Sequence, residues 1–140
     1  MVIYFLSYKA WKLKILDLDG DVFRQNDNHE WYKQVVHVVE EGGKFLDPEL
    51  SLAGLGKLLN ISPQKTSEII NQCAGVNFND FINQLRINEA KKRLLDNDYA
   101  HLNISSIAYD VGFNSLSSFN YAFKKFIGQT PSSFRKDRAS

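Results

Sequence analysis

The chain has 140 residues, 44% of them hydrophobic and 24% charged, which is typical of a soluble globular protein with room for one core. Its net charge of +1 hides a contrast, because residues 1–50 carry six basic and nine acidic side chains and residues 51–140 carry eleven and seven. The later part therefore has a surplus of four positive charges, a weak indication of nucleic-acid binding. The single cysteine, Cys73, excludes an internal disulfide and is predicted to be buried, and no apolar run approaches the roughly twenty residues that span a bilayer. We expect a protein of the cytoplasm.

Residues 1–28 differ in character from the rest of the chain. An apolar start at 1–6 runs into the aromatic and basic flank 7–12, a pattern found where a membrane helix leaves the bilayer. Two interpretations stand: the cytoplasmic end of a longer membrane-attached protein, or a strand or arm that packs locally. The alternating aspartates at 17–21 lack the glycine and glutamate positions of a calcium loop and are typical of a turn. The polar run 25–28 is typical of a linker.

From Glu30 onward, apolar residues recur at helical spacing almost to the end of the chain. A first helix stops at the glycine pair 42–43. A short helix capped by Ser51 follows, and Ser62, with proline at the first helical position after it, opens a longer helix that runs to about Cys73. The apolar stripe of the first helix consists of Trp31, Val35, Val38 and Val39, and that of the short helix of Leu52, Leu55, Leu58 and Leu59.

A longer helix is predicted from about Asn77 to Asp96, and a second short helix from Ile104 to Val111 after a polar loop. Ser115 caps the next helix, which ends at Gly128, and Thr130 caps the last. The prediction is an all-α fold of about seven helices, arranged as two helix-turn-helix subdomains that a long linker helix joins.

The basic part of the chain contains the same plan twice. Residues 52–61 match residues 104–113 at a shift of 52, and after one inserted residue, Asn114, the match continues at a shift of 53. A short helix, a tight turn and a longer helix form a helix-turn-helix, in which the first helix needs a small residue to approach the second closely. Gly56 and Ala108 are these small residues. The second helix of each pair would enter a major groove, and a helical module that binds only protein is the alternative.

Between about Trp31 and Arg138 the sequence resembles the DNA-binding domain of AraC/XylS-type transcription regulators. The most specific part of the match is the run from Gly112 through Pro131 to Arg135. The other residues that carry it are Leu50, Ser51, Leu52, Gly75, Phe78, Phe81, the run Leu85–Ala90, Ile107, Ala108, Phe113, Asn114, Ser115, Phe119, Phe123, Lys124, Lys125, Gly128 and Thr130. The resemblance implies a sequence-specific regulator of transcription that places two recognition helices in successive major grooves of double-stranded DNA.

The resemblance also implies how the chain is divided. It assigns residues 29–140 to the DNA-binding domain, with a first helix-turn-helix at about 30–75, a linker helix at about 77–96 and a second helix-turn-helix at about 103–138. Residues 1–28 lie outside it as an arm or linker, although Tyr4–Tyr8 is similar to the end of the membrane sensor in some relatives. Relatives usually carry a separate sensing part, so the expected partners besides DNA are RNA polymerase or a sensor domain missing from this chain.

The same resemblance supplies candidates for contacts with the bases. In the first recognition helix, Gln64 is the strongest, because glutamine can bind adenine through N6 and N7 together. Two residues depart from the family pattern: Thr66 stands where relatives usually bury a larger apolar residue, and Glu68 where they often have a basic one. A solvated helix face is the alternative for each candidate. The full set of base-contact candidates is Gln64, Lys65, Ser67, Glu68 and Asn71 in the first recognition helix and Leu116, Ser117, Asn120 and Tyr121 in the second.

Phosphate contacts are expected at the starts of the later helices, whose backbone amides attract anions. The second recognition helix has few strong base readers and is expected to contribute phosphate contacts, apolar contact with thymine methyls and fit to DNA shape. For Arg135, a structural salt bridge is the alternative to a phosphate contact. The phosphate-contact candidates are Ser62, Ser115, Ser118, Lys124, Thr130 and Arg135.

The sequence offers little for an enzyme. His29, His37 and His101 lie in separate segments without the spacing of metal ligands, and no activated nucleophile or glycine-rich phosphate loop is visible. We therefore expect neither catalysis nor a bound metal or cofactor.

Overall fold

A computed structural model describes residues 22–139, which form seven α-helices and no strand within that range. A π-helical turn, His37–Glu41, follows the first helix, and 3-10 turns lie at Lys44–Leu46 and Asn97–Tyr99. The all-α prediction is confirmed, whereas the expectations about residues 1–21 fall outside the described part of the chain. The helices are α1 Val22–Val36, α2 Leu52–Leu59, α3 Pro63–Ala74, α4 Phe78–Leu95, α5 Ile104–Asp110, α6 Leu116–Ile127 and α7 Pro131–Ala139.

The four predicted N-caps all form. Ser51, Ser62, Ser115 and Thr130 each accept a hydrogen bond from the backbone amide three residues later, at 3.0–3.1 Å. A side-chain cap of this kind stabilises a helix by about 1 kcal/mol, because it satisfies an amide that has no partner within the helix. Local sequence therefore fixes where α2, α3, α6 and α7 begin.

The first helix begins earlier than the sequence predicted. Helix α1 starts at Val22 rather than near Glu30, so the polar run 25–28 lies within a helix and the interpretation as a linker is wrong. Asn28 is buried, and its side-chain amide donates to the Oε1 atom of Gln72 on α3. The hydrophobic pattern did not predict the start of this helix, because a buried polar residue is stabilised by hydrogen bonds that the local sequence does not reveal.

Two hydrophobic cores lie on either side of α4. The first half of α4 contributes Phe81 and Ile82 to a core formed with α1, α2 and α3, and the second half contributes Ile87, Ala90 and Leu94 to a core formed with α5, α6 and α7. The predicted linker helix is therefore part of both subdomains. None of the helices in residues 22–139 has the length and apolar character needed to cross a membrane.

The small residue predicted in the first helix-turn-helix is required by its packing. A Cβ atom at Gly56 would lie 2.8 Å from the carbonyl oxygen of Ile61 and 3.1 Å from the Oγ1 atom of Thr66. Ala108 occupies the corresponding place in α5 and is fully buried. The close approach of the two helices in each pair thus depends on these positions.

Candidate nucleic-acid interface

Helix α3 divides into a buried and an exposed face, as the sequence predicted. Ile69, Ile70 and Cys73 are buried in the first core, and burial raises the pKa of the Cys73 thiol to about 11. Among the candidates for base contact, Gln64, Glu68 and Asn71 are exposed, whereas Lys65 and Ser67 are half-buried.

Lys65 and Glu68 belong to a network that reaches α1. The ammonium of Lys65 donates to the Oδ1 atom of Asn28 at 2.6 Å and lies 3.6 Å from the Oε2 atom of Glu68. The other carboxylate oxygen of Glu68 accepts from the amide of Gln72 at 3.3 Å. Because both charged candidates already have partners, contact with DNA would compete with these bonds. Sequence reasoning missed Asn28 and Gln72, since neither carries a charge or stands in a recognisable motif.

Asn71 and Gln64 differ in what they have available for a ligand. The Nδ2 atom of Asn71 donates to the carbonyl oxygen of Ser67 at 2.9 Å and to its Oγ atom at 3.1 Å. Bonding of this kind to the preceding turn occupies the donors of an asparagine within its own helix. Gln64 lies in the first turn of α3, is exposed, and its side chain makes no hydrogen bond or ion pair with the described residues. Its side-chain amide is exposed and has both its donors and its acceptor available for a base edge.

Helix α6 has a more apolar exposed face. Leu116 is 38% exposed and Tyr121 74% exposed, while Phe119, Ala122 and Phe123 are buried on the opposite side. Side chains of this kind suit contact with thymine methyls and sugars better than bidentate base recognition. The remaining candidates on this helix, Ser117, Ser118, Asn120 and Lys124, are exposed as well.

The capped starts of α3, α6 and α7 leave backbone amides available. Each cap uses the hydroxyl of Ser62, Ser115 or Thr130 for one amide, and the earlier N–H groups of each first turn have no partner within the helix. In α3 and α7 the first residue is proline, so the second residue supplies the earlier N–H. Ser118 also accepts a hydrogen bond at Oγ from the Ser115 hydroxyl at 2.8 Å. Amides of this kind, at the positive end of the helix dipole, form sites that suit phosphate oxygens.

Arg135 is engaged within the protein. Its Nη1 atom donates to the carbonyl of Leu102 at 2.7 Å and its Nη2 atom to the carbonyl of Tyr99 at 2.9 Å. The structural alternative predicted for Arg135 thus takes the form of hydrogen bonds to two carbonyls instead of a salt bridge. These bonds fasten α7 to the loop that precedes α5.

Residues 22–139 contain no group of three or more histidine, cysteine or acidic side chains arranged to hold a metal ion. The polar interface candidates are hydroxyls, side-chain amides, the charged side chains of Lys65, Glu68, Lys124 and Arg135, and the backbone amides of helix starts. Groups of these types form hydrogen bonds with base edges and phosphates.

Comparison with known sequences identifies similar proteins among regulators. A family model described as "Helix-turn-helix domain" matches residues 55–137. An uncharacterized HTH-type transcriptional regulator of Staphylococcus aureus strain COL is 39% identical over 90 residues, which cover 64% of this chain and 12% of that protein. The HTH-type transcriptional regulator GlxA of Rhizobium meliloti is 29% identical over 103 residues, covering 74% and 31%. The chain thus spans about an eighth and a third of the lengths of these relatives.

Two solved structures are similar in both sequence and fold. The C-terminal domain of AraT, a response regulator from Geobacillus stearothermophilus, has a TM-score of 0.62 and 33% identity, with coverage of 67% of this chain and 75% of that one. The C-terminal domain of the two-component response regulator yesN from Fusobacterium nucleatum has a TM-score of 0.65 and 29% identity, with coverage of 74% and 97%.

Proposed function

The chain belongs to the AraC-type helix-turn-helix family of DNA-binding transcription regulators, and from this premise we propose that α3 and α6 enter successive major grooves at a specific DNA sequence. The observation that carries the proposal is the duplication. Helices α3 and α6 have twelve residues each, are capped by serine, and bury one face in a separate core. The 18-residue α4 between them spans about 27 Å at 1.5 Å per residue, close to the ~34 Å between major grooves on one side of a duplex.

In this proposal, α3 supplies most of the base recognition. Gln64 reads an adenine, since its amide is exposed and unengaged within the described residues. Lys65 and Glu68 take part after exchanging their bonds with Asn28 and Gln72, and Lys65 then reaches a guanine or a phosphate. Ser67 and Asn71 are weaker candidates, because their hydrogen bonds to each other hold them on the helix.

Helix α6 contributes binding affinity and fit to the shape of the DNA more than base recognition. Leu116 and Tyr121 contact thymine methyls and the sugar edge, with Ser117 and Asn120 beside them as polar contacts. Lys124, the hydroxyl of Ser118 and the helix starts at Ser62, Ser115 and Thr130 bind phosphates. Arg135 positions α7 through its two carbonyl bonds and is a secondary candidate for phosphate.

Regulation requires partners beyond DNA. We propose that the DNA-bound domain acts on RNA polymerase or is controlled by a sensor domain. Its place of action is the cytoplasm, either as a free protein or as the cytoplasmic part of a membrane-attached one.

Selection of duplexes from a random library tests the proposal. Recovered sequences should contain two conserved half-sites about one helical turn apart, and a footprint should cover both. No enrichment of any duplex, at low as well as physiological salt, would contradict DNA recognition and favour a helical module that binds protein.

A further inference from the structure

Two segments that are distant in sequence meet the centre of α4 around Arg86, which is 8% exposed. Its Nε atom donates to the carbonyl of Phe45 at 2.7 Å, and its Nη2 atom donates to the carbonyl of Asp47 at 2.8 Å. Both acceptors lie in or directly after the 3-10 turn Lys44–Leu46, which precedes α2. Hydrogen bonds from a charged donor are stronger than neutral ones, so Arg86 holds this turn firmly against the middle of α4.

The turn 44–46 contributes to both hydrophobic cores. The side chain of Phe45 packs against the first core, and the side chain of Leu46 packs against the second. A segment that precedes α2, and therefore belongs to the first helix-turn-helix, is thus anchored in the second.

The turn between α5 and α6 also packs against Arg86 and the turn 44–46, and the three together form a junction. Gly112 has a φ of +107°, and a Cβ atom there would lie 2.7 Å from the Nε atom of Arg86 and 3.0 Å from the carbonyl oxygens of Phe45 and Leu46. Only glycine combines this backbone conformation with so close an approach. The ring centroid of Phe113 lies 5.8 Å from the Cζ atom of Arg86, within the range of a cation–π contact.

Two outer contacts tie α6 and the turn before it to the first half of the chain. The Nδ2 atom of Asn114 donates to the carbonyl of Pro48 at 3.4 Å. The ammonium of Lys125 on α6 donates to the Oδ1 atom of Asp80, in the first turn of α4, at 2.9 Å. The second recognition helix is therefore connected to the first half by several contacts besides the covalent continuity of α4.

We propose that Arg86 is a positioning residue, and that its junction with the turn 44–46 fixes the angle and separation between α3 and α6. The junction, and not α4 alone, then sets which spacing of DNA half-sites the protein accepts. The inference rests on the proposed function, since it assumes that both helices contact DNA. A helix alone leaves its two ends free to bend and twist, whereas a second connection through both cores removes that freedom.

The geometry explains why arginine is needed. Its planar guanidinium donates from two nitrogens to two carbonyls while its Cζ atom lies over the ring of Phe113. Lysine keeps the charge but offers a single nitrogen on a flexible stem, so it cannot hold both carbonyls in this fixed arrangement. Arg86→Lys is therefore the variant that loosens the junction with the least change of charge and volume.

The test measures how affinity depends on half-site spacing. The duplex selected by the wild-type chain is remade with its half-sites moved together or apart by one or two base pairs, and binding is measured for each by fluorescence anisotropy. The variants are Arg86→Lys and Leu46→Ala. The second removes a half-buried side chain from the junction and leaves the sequence of α4 unchanged. The matched control is Arg93→Lys, because the guanidinium of Arg93 pairs with Glu89 on α4 and lies over the ring of Tyr99 in the following turn, away from the turn 44–46.

The wild type and the control should lose roughly 10- to 100-fold in affinity when the spacing changes by two base pairs, since a rigid protein then loses its second contact. In Arg86→Lys and Leu46→Ala the loss should fall to about threefold, while affinity for a single half-site stays within about twofold of wild type. The readout is the ratio of the affinities for two spacings, so a change that affects all duplexes equally cancels.

Each outcome decides one question. If the folded variants keep the wild-type dependence on spacing, the positioning role is wrong and the proposed function stands. If the wild type itself shows no dependence on spacing, two-headed recognition is wrong, and with it the premise of the inference. Should Arg86→Lys fail to fold, as circular dichroism would show, Leu46→Ala decides.

Discussion

At the scale of single residues, the polar face of α3 separates into one unengaged side chain and several engaged ones. Gln64 makes no hydrogen bond with the described residues, whereas Lys65, Glu68 and Asn71 are bonded to α1 or within α3. A base contact through Gln64 would therefore form without breaking a bond in the protein. We expect Gln64 to contribute more to specificity than its charged neighbours.

Replacing Gln64 by alanine should cost roughly 1–3 kcal/mol of binding free energy at one base pair and relax specificity there, because a bidentate contact with adenine is lost. The measurement is competition binding with duplexes mutated at each position. A matched control is Gln129→Ala, which lies in the turn before α7 and outside the proposed base contacts. An equal loss on all sequences would assign Gln64 to the DNA backbone instead.

Glu68 allows two different outcomes when it is replaced by glutamine. We expect tighter binding to every duplex by up to about fivefold, since the repulsion between an exposed carboxylate and nearby phosphates costs roughly 0.2–1 kcal/mol. The change also frees Lys65 from its ion pair at 3.6 Å. A loss confined to sites with one particular cytosine would show that Glu68 accepts from cytosine N4. If neither the overall affinity nor the preference for cytosine changes, Glu68 faces solvent when DNA is bound.

Cys73 gives a prediction that depends on pH. Burial raises the pKa of its thiol from 9.0 to about 11, so the folded state holds this proton more tightly than the unfolded state. The resulting stability is complete below pH 9.0 and is lost as the pH rises through about 11. Labelling by a thiol reagent at pH 8 should therefore be slow in the folded protein and fast in urea.

The matched variant for this experiment is Asn28→Ala. Its backbone carbonyl accepts from the Cys73 thiol at 3.7 Å, and its side chain bonds to Gln72 and Lys65 on α3. Loss of these side-chain bonds should loosen α1 and speed labelling, whereas Asn79→Ala, at an exposed site on α4, should leave the rate unchanged. Equal rates in both variants would mean that α1 stays docked without Asn28.

At the scale of helices, the sequence was informative wherever structure depends on neighbours in the chain. The N-caps at Ser62 and Ser115 and the small residue at Gly56 follow from local stereochemistry, and all were predictable. The start of α1 was not predictable, because the hydrogen-bond partner of the buried Asn28 side chain is Gln72, 44 positions away.

The same limit applied to the functional face. The division of α3 into buried and exposed sides follows from its period of 3.6 residues, and it was predictable. The engagement of Lys65 by Asn28 depends on how α1 packs, and the partners of Arg86 and Arg135 are carbonyl oxygens. Every residue carries a carbonyl, so no residue type in the sequence marks these acceptors.

Insertion of one alanine after Asn88 should abolish two-headed binding. The insertion rotates the second half of α4 by roughly 100° against the first, and it displaces Gly112 from Arg86, which stays with the first half. The first core keeps all its α4 residues, which precede the insertion, whereas Ile87 of the second core is moved out of register with Ala90 and Leu94. Binding to the half-site of α3 should therefore survive, and the footprint should shrink to that half-site. An insertion before Phe78, in the loop after α3, is the control for added length. A full footprint at wild-type affinity would contradict a rigid arrangement.

At the scale of the whole molecule, charge governs affinity for DNA of any sequence. Residues 51–140 carry a surplus of four positive charges, and neutralised phosphates release counterions. With about four phosphate contacts, binding should weaken roughly 10²-fold between about 50 and 200 mM salt. Lys124→Gln should reduce the slope of the log–log plot by about one. Affinity that stays flat over this range would count against phosphate contacts as its source.

The turn 44–46 also bears on how such domains can be recombined. Because Phe45 packs in one core and Leu46 in the other, the two helix-turn-helix units are not interchangeable cassettes. A hybrid that takes α5–α7 from a relative would bring a foreign surface to Leu46 and a foreign turn to Arg86. Exchange of DNA specificity between relatives should therefore succeed when only the exposed residues of α3 or α6 are transplanted, and fail when whole halves are joined without matching residues 44–47 and 112–114.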